Sequence, residues 1–451
     1  QRTANRGSIS TGYDIDNSCK FEADNSEYLS KTPSSAGNRK TWTLSAWVKR
    51  TELTTESNSA GNQNMILSAG NTYIQFDGNA IWVNFRAASE NFFLATNRLF
   101  RDTSAWYHVV LQCDTTQGTA SNRAKLWVNG VQETSFQNST YDGMPLNYDT
   151  LMNSTNEHEV GKSTNEETTY ANLFNGYMAE MHLVDGTALT PTSFGEFDDD
   201  SGIWKPKAYA GSYGTNGFYL DFKDSANLGN DASGGTDFAE TNITSADQST
   251  DTPTNNFATL NPLNLSTGLT LTNGATKIVN ATTWRTGVST IAVTKGKWYF
   301  ETKSSGAGAY TFVGFVDVED AYVPQNATGY FLGYAGGNEN RSVSMRGDGT
   351  IYNDNNSASG TSFGSSNIVG MALDMDNRKV YWYVDNSIVN SGNAVTWATS
   401  STLGDAWTDV ITLGISFYQG ITAEVNFGGY TTMSISSAAS DANGYGTFEY
   451  A

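Results

Sequence analysis

The chain is short of the residues that mark several classes of protein. Its 451 residues include two cysteines, three histidines and seven prolines, and only 16% are charged. Cys19 and Cys113 both stand in apolar, strand-like text and read as buried free thiols; a disulfide would require their strands to be neighbours. No C-x-x-C or H-x-x-x-H spacing occurs, which excludes the ordinary zinc sites. The G-x-x-x-x-G-K-[ST] phosphate loop is missing as well. No apolar run approaches the ~18 residues a membrane-spanning helix needs, so membrane insertion is not expected. Lys and Arg are scarce: the formal charge is −20 and the sequence pI is near 4.4. That balance excludes a nucleic-acid-binding surface and docking on anionic lipid, both of which need clustered cations. It suits keeping a sticky, aromatic-rich protein in solution.

Glycine (44 residues) and aromatics (12%) are plentiful, and period-two alternation dominates the apolar text. "TWTLSAWVKR" (41–50) places Trp42, Leu44, Ala46 and Val48 on one face. "YIQFDGNAIWVNF" (73–85) reads as strand, turn and strand. "AKLWVNGVQE" (124–133) carries the Asn129-Gly130 hairpin signal. "GKWYFETK" (296–303), "IVGMALDMDNRKVYWYVDNSIV" (368–389) and "EVNFGG" (424–429) continue the pattern. The expectation is an all-β protein of two β-sandwich domains, residues 1–222 and 263–437. Residues 223–262 are polar, without alternating apolar text, and read as a linker or extended segment. Residues 438–451 read as a small-residue tail.

Candidate chemistry is sparse. "FEADNSEYLS" (21–30) holds Glu22, Asp24 and Glu27 in the E-x-D-x-x-E order of jelly-roll glucanases. A regular strand puts Glu22 and Asp24 on one face and Glu27 on the other, and Asp24-Asn25-Ser26 has turn chemistry. A turn without catalysis is therefore expected, with glycan hydrolysis through these three carboxylates as an alternative. His108 and His182 lie in apolar strands and read as structural; His158, in polar text, reads as solvated. Asp198, Asp199 and Asp200 form a candidate calcium loop, against the simpler reading of a solvated acidic loop. Tyr322, Tyr352, Trp397, Trp407 and Tyr418 fall near strand ends and loops, where a minority could form a glycan or receptor patch.

Residues 8–222 resemble laminin-G-like, concanavalin-A-type jelly rolls. The resemblance rests on "FEADNSEYLS", "WTLSAWVKR", "WYHVVLQCD", "AKLWVNGVQ" and "FNGYMAEMHLVDGTALT", in that order. Residues 265–430 resemble a SPRY domain through "GKWYFETK", "FVGFVDVED", the 368–389 hairpin and "EVNFGG", with Asp385-Asn386 where that family usually has Asn-Gly. The combination, with "DTPTNNFATLNP", looks like virion structural proteins of aquatic tailed phages. That resemblance implies a non-enzymatic appendage, fibre or capsid decoration on the virion surface. It further implies a homo-oligomer, trimeric by analogy with fibres. Its partners would be other virion proteins and a host-surface glycan or protein. A secreted bacterial carbohydrate-binding adhesin is the other non-catalytic alternative.

Overall fold

The structure is a computed structural model. It describes residues 12–53, 63–87, 90–140, 144–163, 172–266, 268–280, 283–306, 308–320, 331–333, 341–353, 356–399, 406–418, 420–441 and 444–450. The chain is all-β: its regular elements among the described residues are antiparallel strands and short 3-10 turns. It divides into two compact units, Gln1–Asn256 and Phe257–Ala451.

In the first unit, two eight-stranded sheets face each other. One contains Thr41–Arg50 at its centre, between Tyr107–Asp114 and Gly176–Asp185, with Ser18–Phe21 next to the latter. The other runs from Phe136–Ser139 through Thr72–Asp77 and Gln63–Ala69 to His158–Val160, Tyr28–Lys31 and Ala239–Thr241. The expected alternation places Trp42, Leu44, Ala46 and Val48 in the core between the sheets. Cys19 and Cys113 are buried free thiols. Two strands, Gly176–Asp185 and Thr41–Arg50, separate theirs in the sheet, so they are not neighbours. Asn129 and Gly130 both take positive φ (51° and 77°), the backbone a two-residue hairpin turn needs.

Of the segment read as a linker, residues 223–256 belong to this unit and 257–262 to the second. Ala239–Thr241 adds to the edge of one sheet beside Tyr28–Lys31, and Gln248–Ser249 adds to the other beside Ser18–Phe21. Its polarity answers buried cations. Lys20 Nζ lies 2.7 Å from Glu27 and 2.8 Å from Asp247, and Lys49 Nζ lies 2.6 Å from Asp251, all of them buried. A buried ammonium without a counter-charge costs several kcal/mol, so the aspartates are structural, and the linker reading is corrected on that ground.

The second unit also pairs two sheets. The seven-stranded sheet is ordered Leu260–Leu265, Arg285–Val293, Ile411–Phe417, Gly308–Asp317, Ser342–Gly347, Thr350–Asn353, Asn356–Ser359. The eight-stranded sheet runs Leu269–Thr272, Lys277–Asn280, Thr422–Asn426, Lys297–Ser304, Val369–Asp374, Lys379–Val384, Ser387–Ile388, with Val395–Thr396 also pairing Lys379–Val384. Asp385 and Asn386 turn the last hairpin with φ of 45° and 62°. The stretch read as a tail folds back onto this sandwich: Ala439 bridges Phe448, whose side chain is buried, and Tyr450 N donates to Glu301.

Candidate functional site

A cavity of about 490 Å³ lies on the outer face of the second unit's eight-stranded sheet. Its floor follows from strand alternation. In Val369–Asp374, Val369, Met371 and Leu373 enter the core, which leaves Gly370, Ala372 and Asp374 outward. Ala372 pairs with Tyr299 on one side and Tyr381 on the other, and Gly370 pairs with Glu301 and Tyr383. The strands carrying Tyr299 and Tyr381 are two strand spacings apart, about 10 Å; Ala372 lies between them on the cavity floor, while Gly370 is buried beneath Tyr299 Oη. Glycine at 370 is required by this packing, because a Cβ there would lie 2.4 Å from Tyr299 Oη. The V-Y-W-Y-V text explains the other wall: Val380, Trp382 and Val384 are buried, so Tyr381 and Tyr383 face out and are half-buried.

Glu301 organises one end of this trough. Its fully buried carboxylate accepts from Tyr299 Oη (3.1 Å), Asn426 Nδ2 (3.2 Å), Glu449 N (2.9 Å) and Tyr450 N (2.6 Å). Burial pushes the carboxyl up, opposed by those hydrogen bonds. Burial, with the Glu301 charge, likewise raises the Tyr299 hydroxyl. The backbone bonds pin the C-terminal segment, which is also tied by Glu449 to Ser436, and bring Tyr450 and Asp441 to the rim. At the opposite end Lys297 and Asp374 pair across strands. Hydrogen bonds from Asn377, with a smaller share from Lys297, hold the Asp374 carboxyl below its ordinary value.

The aromatics singled out from sequence divide differently. Trp397 and Trp407 are core residues, 2% and 7% exposed, with rings 4.9 and 6.1 Å from Phe315. They are not available to a ligand, and their assignment to a binding patch is corrected: what looked like loop text folds into the sandwich interior. Tyr322 lies outside the described residues. Tyr352 and Tyr418 do share a face, the outer side of the seven-stranded sheet. There Trp284 stacks on Tyr418 at 5.2 Å and packs at 4.8 Å on Phe331, which contacts Tyr352 at 6.2 Å. Three serines hold Phe331–Gly333 across that face: Ser416 Oγ accepts from Leu332 N, Ser344 Oγ donates to Leu332 O, and Ser342 Oγ accepts from Gly333 N.

In the first unit the carboxylate trio is a turn. Ala23–Asn25 forms a 3-10 turn, closed by Ser26 N donating to Ala23 O, with Asp24 exposed. Both oxygens of Glu27 meet Lys20 Nζ at 2.7–2.8 Å, and burial pushes the Glu27 carboxyl up against that pull. The 198–200 loop is closed by its own donors. Asp198 accepts from Ser201 N (2.9 Å) and Oγ (2.7 Å) and lies 3.6 Å from Lys205 Nζ, while Asp199 and Asp200 are exposed. No group of three or more His, Cys, Asp or Glu side chains is placed to hold a metal ion among the described residues. A G-x-S-x-G spacing at Gly360–Gly364 runs through an irregular segment with no helix after it.

The first unit's Thr41–Arg50 sheet is covered on its outer face by the chain itself. Trp204 Nε1 donates to His108 Nδ1 (3.0 Å), which leaves His108 Nε2 to donate to Ser45 Oγ (2.8 Å). The His108 ring stacks on Trp47 at 4.7 Å. Burial lowers the pKa of this imidazole to about 3. Nearby, Glu180 takes φ 47° at a bulge and accepts from Tyr13 Oη (2.8 Å) and Tyr219 Oη (2.6 Å). Burial works to raise its carboxyl, but His182 and the two hydroxyls outweigh that and hold it below its ordinary value. His182 bonds Tyr213 Oη at 2.9 Å. His158, expected in solvent, is 2% exposed on a strand: Asn153 N donates to its Nε2 and its Nδ1 faces Asn156 O, with burial lowering its pKa to about 4.

Comparison with known proteins agrees with the architecture. Residues 23–193 match the concanavalin A-like lectin/glucanases superfamily, so the first unit is a concanavalin-A-like β-sandwich. No curated protein matches the chain. Solved structures similar to it include the SPRY domain of human HERC1 (14% identity, 37% of this chain and 96% of that one, TM-score 0.27). The PSpry domain of TRIM65 is another (14% identity, 38% and 91%, TM-score 0.27).

Proposed function

We propose that this protein is a non-enzymatic adhesion component on the surface of a tailed-phage virion, as an appendage, fibre or capsid decoration. It holds host-surface glycan through its sandwich faces. The observation that carries the adhesive part is the tyrosine-walled trough over Ala372. Aromatic walls with polar tips and a few charged rim groups suit shallow recognition of sugar rings. In the first unit, the residues that a glucanase-like trio would use are spent on Lys20 and a turn, which favours binding over hydrolysis. The virion placement rests on the resemblance of the two-domain combination to phage structural proteins, and assembly as a homo-oligomer, trimeric by that analogy, belongs to the same proposal.

Two measurements test it. Mass spectrometry and cryo-EM of purified particles are expected to find the chain as a symmetric surface component; a soluble monomer absent from particles refutes the virion role. Fluorescently labelled protein is expected to bind host cells and to lose that binding once surface glycans are destroyed with periodate. Release of reducing sugar from cell-wall polysaccharide, abolished by Glu22→Gln, would refute the non-enzymatic reading.

A further inference from the structure

We infer that the trough between Tyr299 and the Tyr381/Tyr383 wall is a binding site for an uncharged glycan chain, with the C-terminal residues Asp441 and Tyr450 forming part of the site. This rests on the adhesive reading above and narrows it in two ways. It names the side chains that hold the sugar, and it fixes the charge class of the ligand.

The location follows from which sheet faces are open. The outer face of the first unit's Thr41–Arg50 sheet is filled by the chain's own Trp204, Tyr213 and Asp251, bonded to His108, His182 and Lys49. In the second unit the outward residue lining the cavity floor is Ala372, a methyl group, while its neighbour Gly370 is buried beneath the Tyr299 hydroxyl. Tyr381 and Tyr383, two residues apart on one strand, stand about 7 Å from each other along the trough. Both line the cavity, so a chain that runs with the strand meets them in succession.

The charge class follows from the rim. Asp374 stands in register between Lys297 and Lys379, and Asp441 adds a second carboxylate, so the rim carries both signs with no excess of cations. The second unit itself has nine Lys and Arg against fifteen Asp and Glu, a net charge of −6. A sulfated or uronic-acid polymer would meet this field at every residue, whereas a neutral chain meets only hydroxyl, amide and carboxylate partners. Asp441 is anchored in turn, its carboxylate accepting from Tyr445 N at 2.8 Å, and Tyr450 is anchored by Glu301, so both rim groups are preorganised.

The test uses the full chain and four probes: chitohexaose and laminarihexaose as neutral oligomers, an alginate hexasaccharide as the polyanion, and a proline-rich decapeptide as the competing macromolecule that tyrosine grooves also suit. Binding is read by saturation-transfer NMR and by fluorescence titration, alongside whole-cell adhesion. A neutral oligomer is expected to bind, and Tyr381→Ala or Tyr383→Ala to weaken it by about tenfold. Ala372→Gln, which fills the floor and leaves the tyrosines in place, is expected to weaken it as much, and Tyr383→Phe to retain most of it. Circular dichroism and unfolding midpoints confirm that each variant is folded. Tighter binding of alginate than of both neutral oligomers overturns the charge class while adhesion to glycan survives. Neutral binding untouched by all three trough variants, or no neutral binding with cell adhesion intact, overturns the site but not the adhesive reading. Peptide binding in the trough, with neither sugar binding nor periodate-sensitive adhesion, overturns both.

Discussion

Acid is expected to destabilise the first unit through two histidines that fold around their neutral forms. His108 must keep Nδ1 unprotonated to accept the Trp204 N–H, and His158 must keep Nε2 unprotonated to accept from Asn153 N. Burial lowers their pKa values to about 3 and about 4, from an unfolded value of about 6.5. A depressed folded pKa means that the unfolded chain binds the proton first. The stability is therefore fully present above pH ~6.5 and is lost as pH falls toward the folded values. At pH 5 each unfolded imidazole gains about 2 kcal/mol from protonation, so the two together remove about 4 kcal/mol relative to pH 7. This figure depends only on the folded pKa values lying at or below about 4. Glu27, raised by burial, works with the opposite sign, but it is common to wild type and variant and cancels between them. His108→Gln keeps an acceptor for Trp204 and a donor for Ser45 while removing the titration. The assay is urea unfolding at pH 7 and pH 5, followed by hydrogen exchange of the Thr41–Arg50 and Tyr107–Asp114 amides, which reports the first unit alone. The variant is expected to lose about 2 kcal/mol less between the two pH values than wild type does. Equal losses in the two proteins refute the account of His108 as a buried neutral base.

Other consequences are equally direct. Trp407→Ala is expected to cost the second unit about 3–5 kcal/mol, as a core truncation, whereas Tyr383→Ala on the open face costs under about 1; calorimetry that ranks them the other way refutes the division between core and trough. A chain ending at Phe222 strips Asp251 from the buried Lys49, a loss of about 3–5 kcal/mol, and takes Asp247 from Lys20, which keeps Glu27; it is expected to show no cooperative unfolding, in contrast to one ending at Asn256. Glu301→Ala takes away the acceptor shared by Glu449 N and Tyr450 N, so hydrogen exchange over residues 436–450 should accelerate; unchanged protection there refutes the anchoring role. Because Lys205 already stands beside Asp198, EDTA is expected to leave Tm unchanged, and a fall of several degrees would place calcium at Asp198–Asp200.

The sequence by itself determined the fold class, and the reason is local. Alternation in "TWTLSAWVKR" and "KVYWYV" assigns each side chain to a face, and Asn129-Gly130 and Asp385-Asn386 supply the positive φ that two-residue turns need. Alternation does not say whether the second face is wet. Lys49, Ser45 and Trp47 point away from the core between the sheets, yet all are buried, because segments far along the chain cover them. That is why a polar stretch read as a linker carries the counter-charges of the first unit, and why His158 is buried among backbone partners. Trp397 and Trp407 sit in text that reads as loop, and only the closing of two sheets decided that they are interior. The trough was half legible: "VYWYV" shows two outward tyrosines, while Tyr299, Ala372 and Tyr450 join them through strand register and chain return, pairings between residues tens of positions apart that no local pattern encodes.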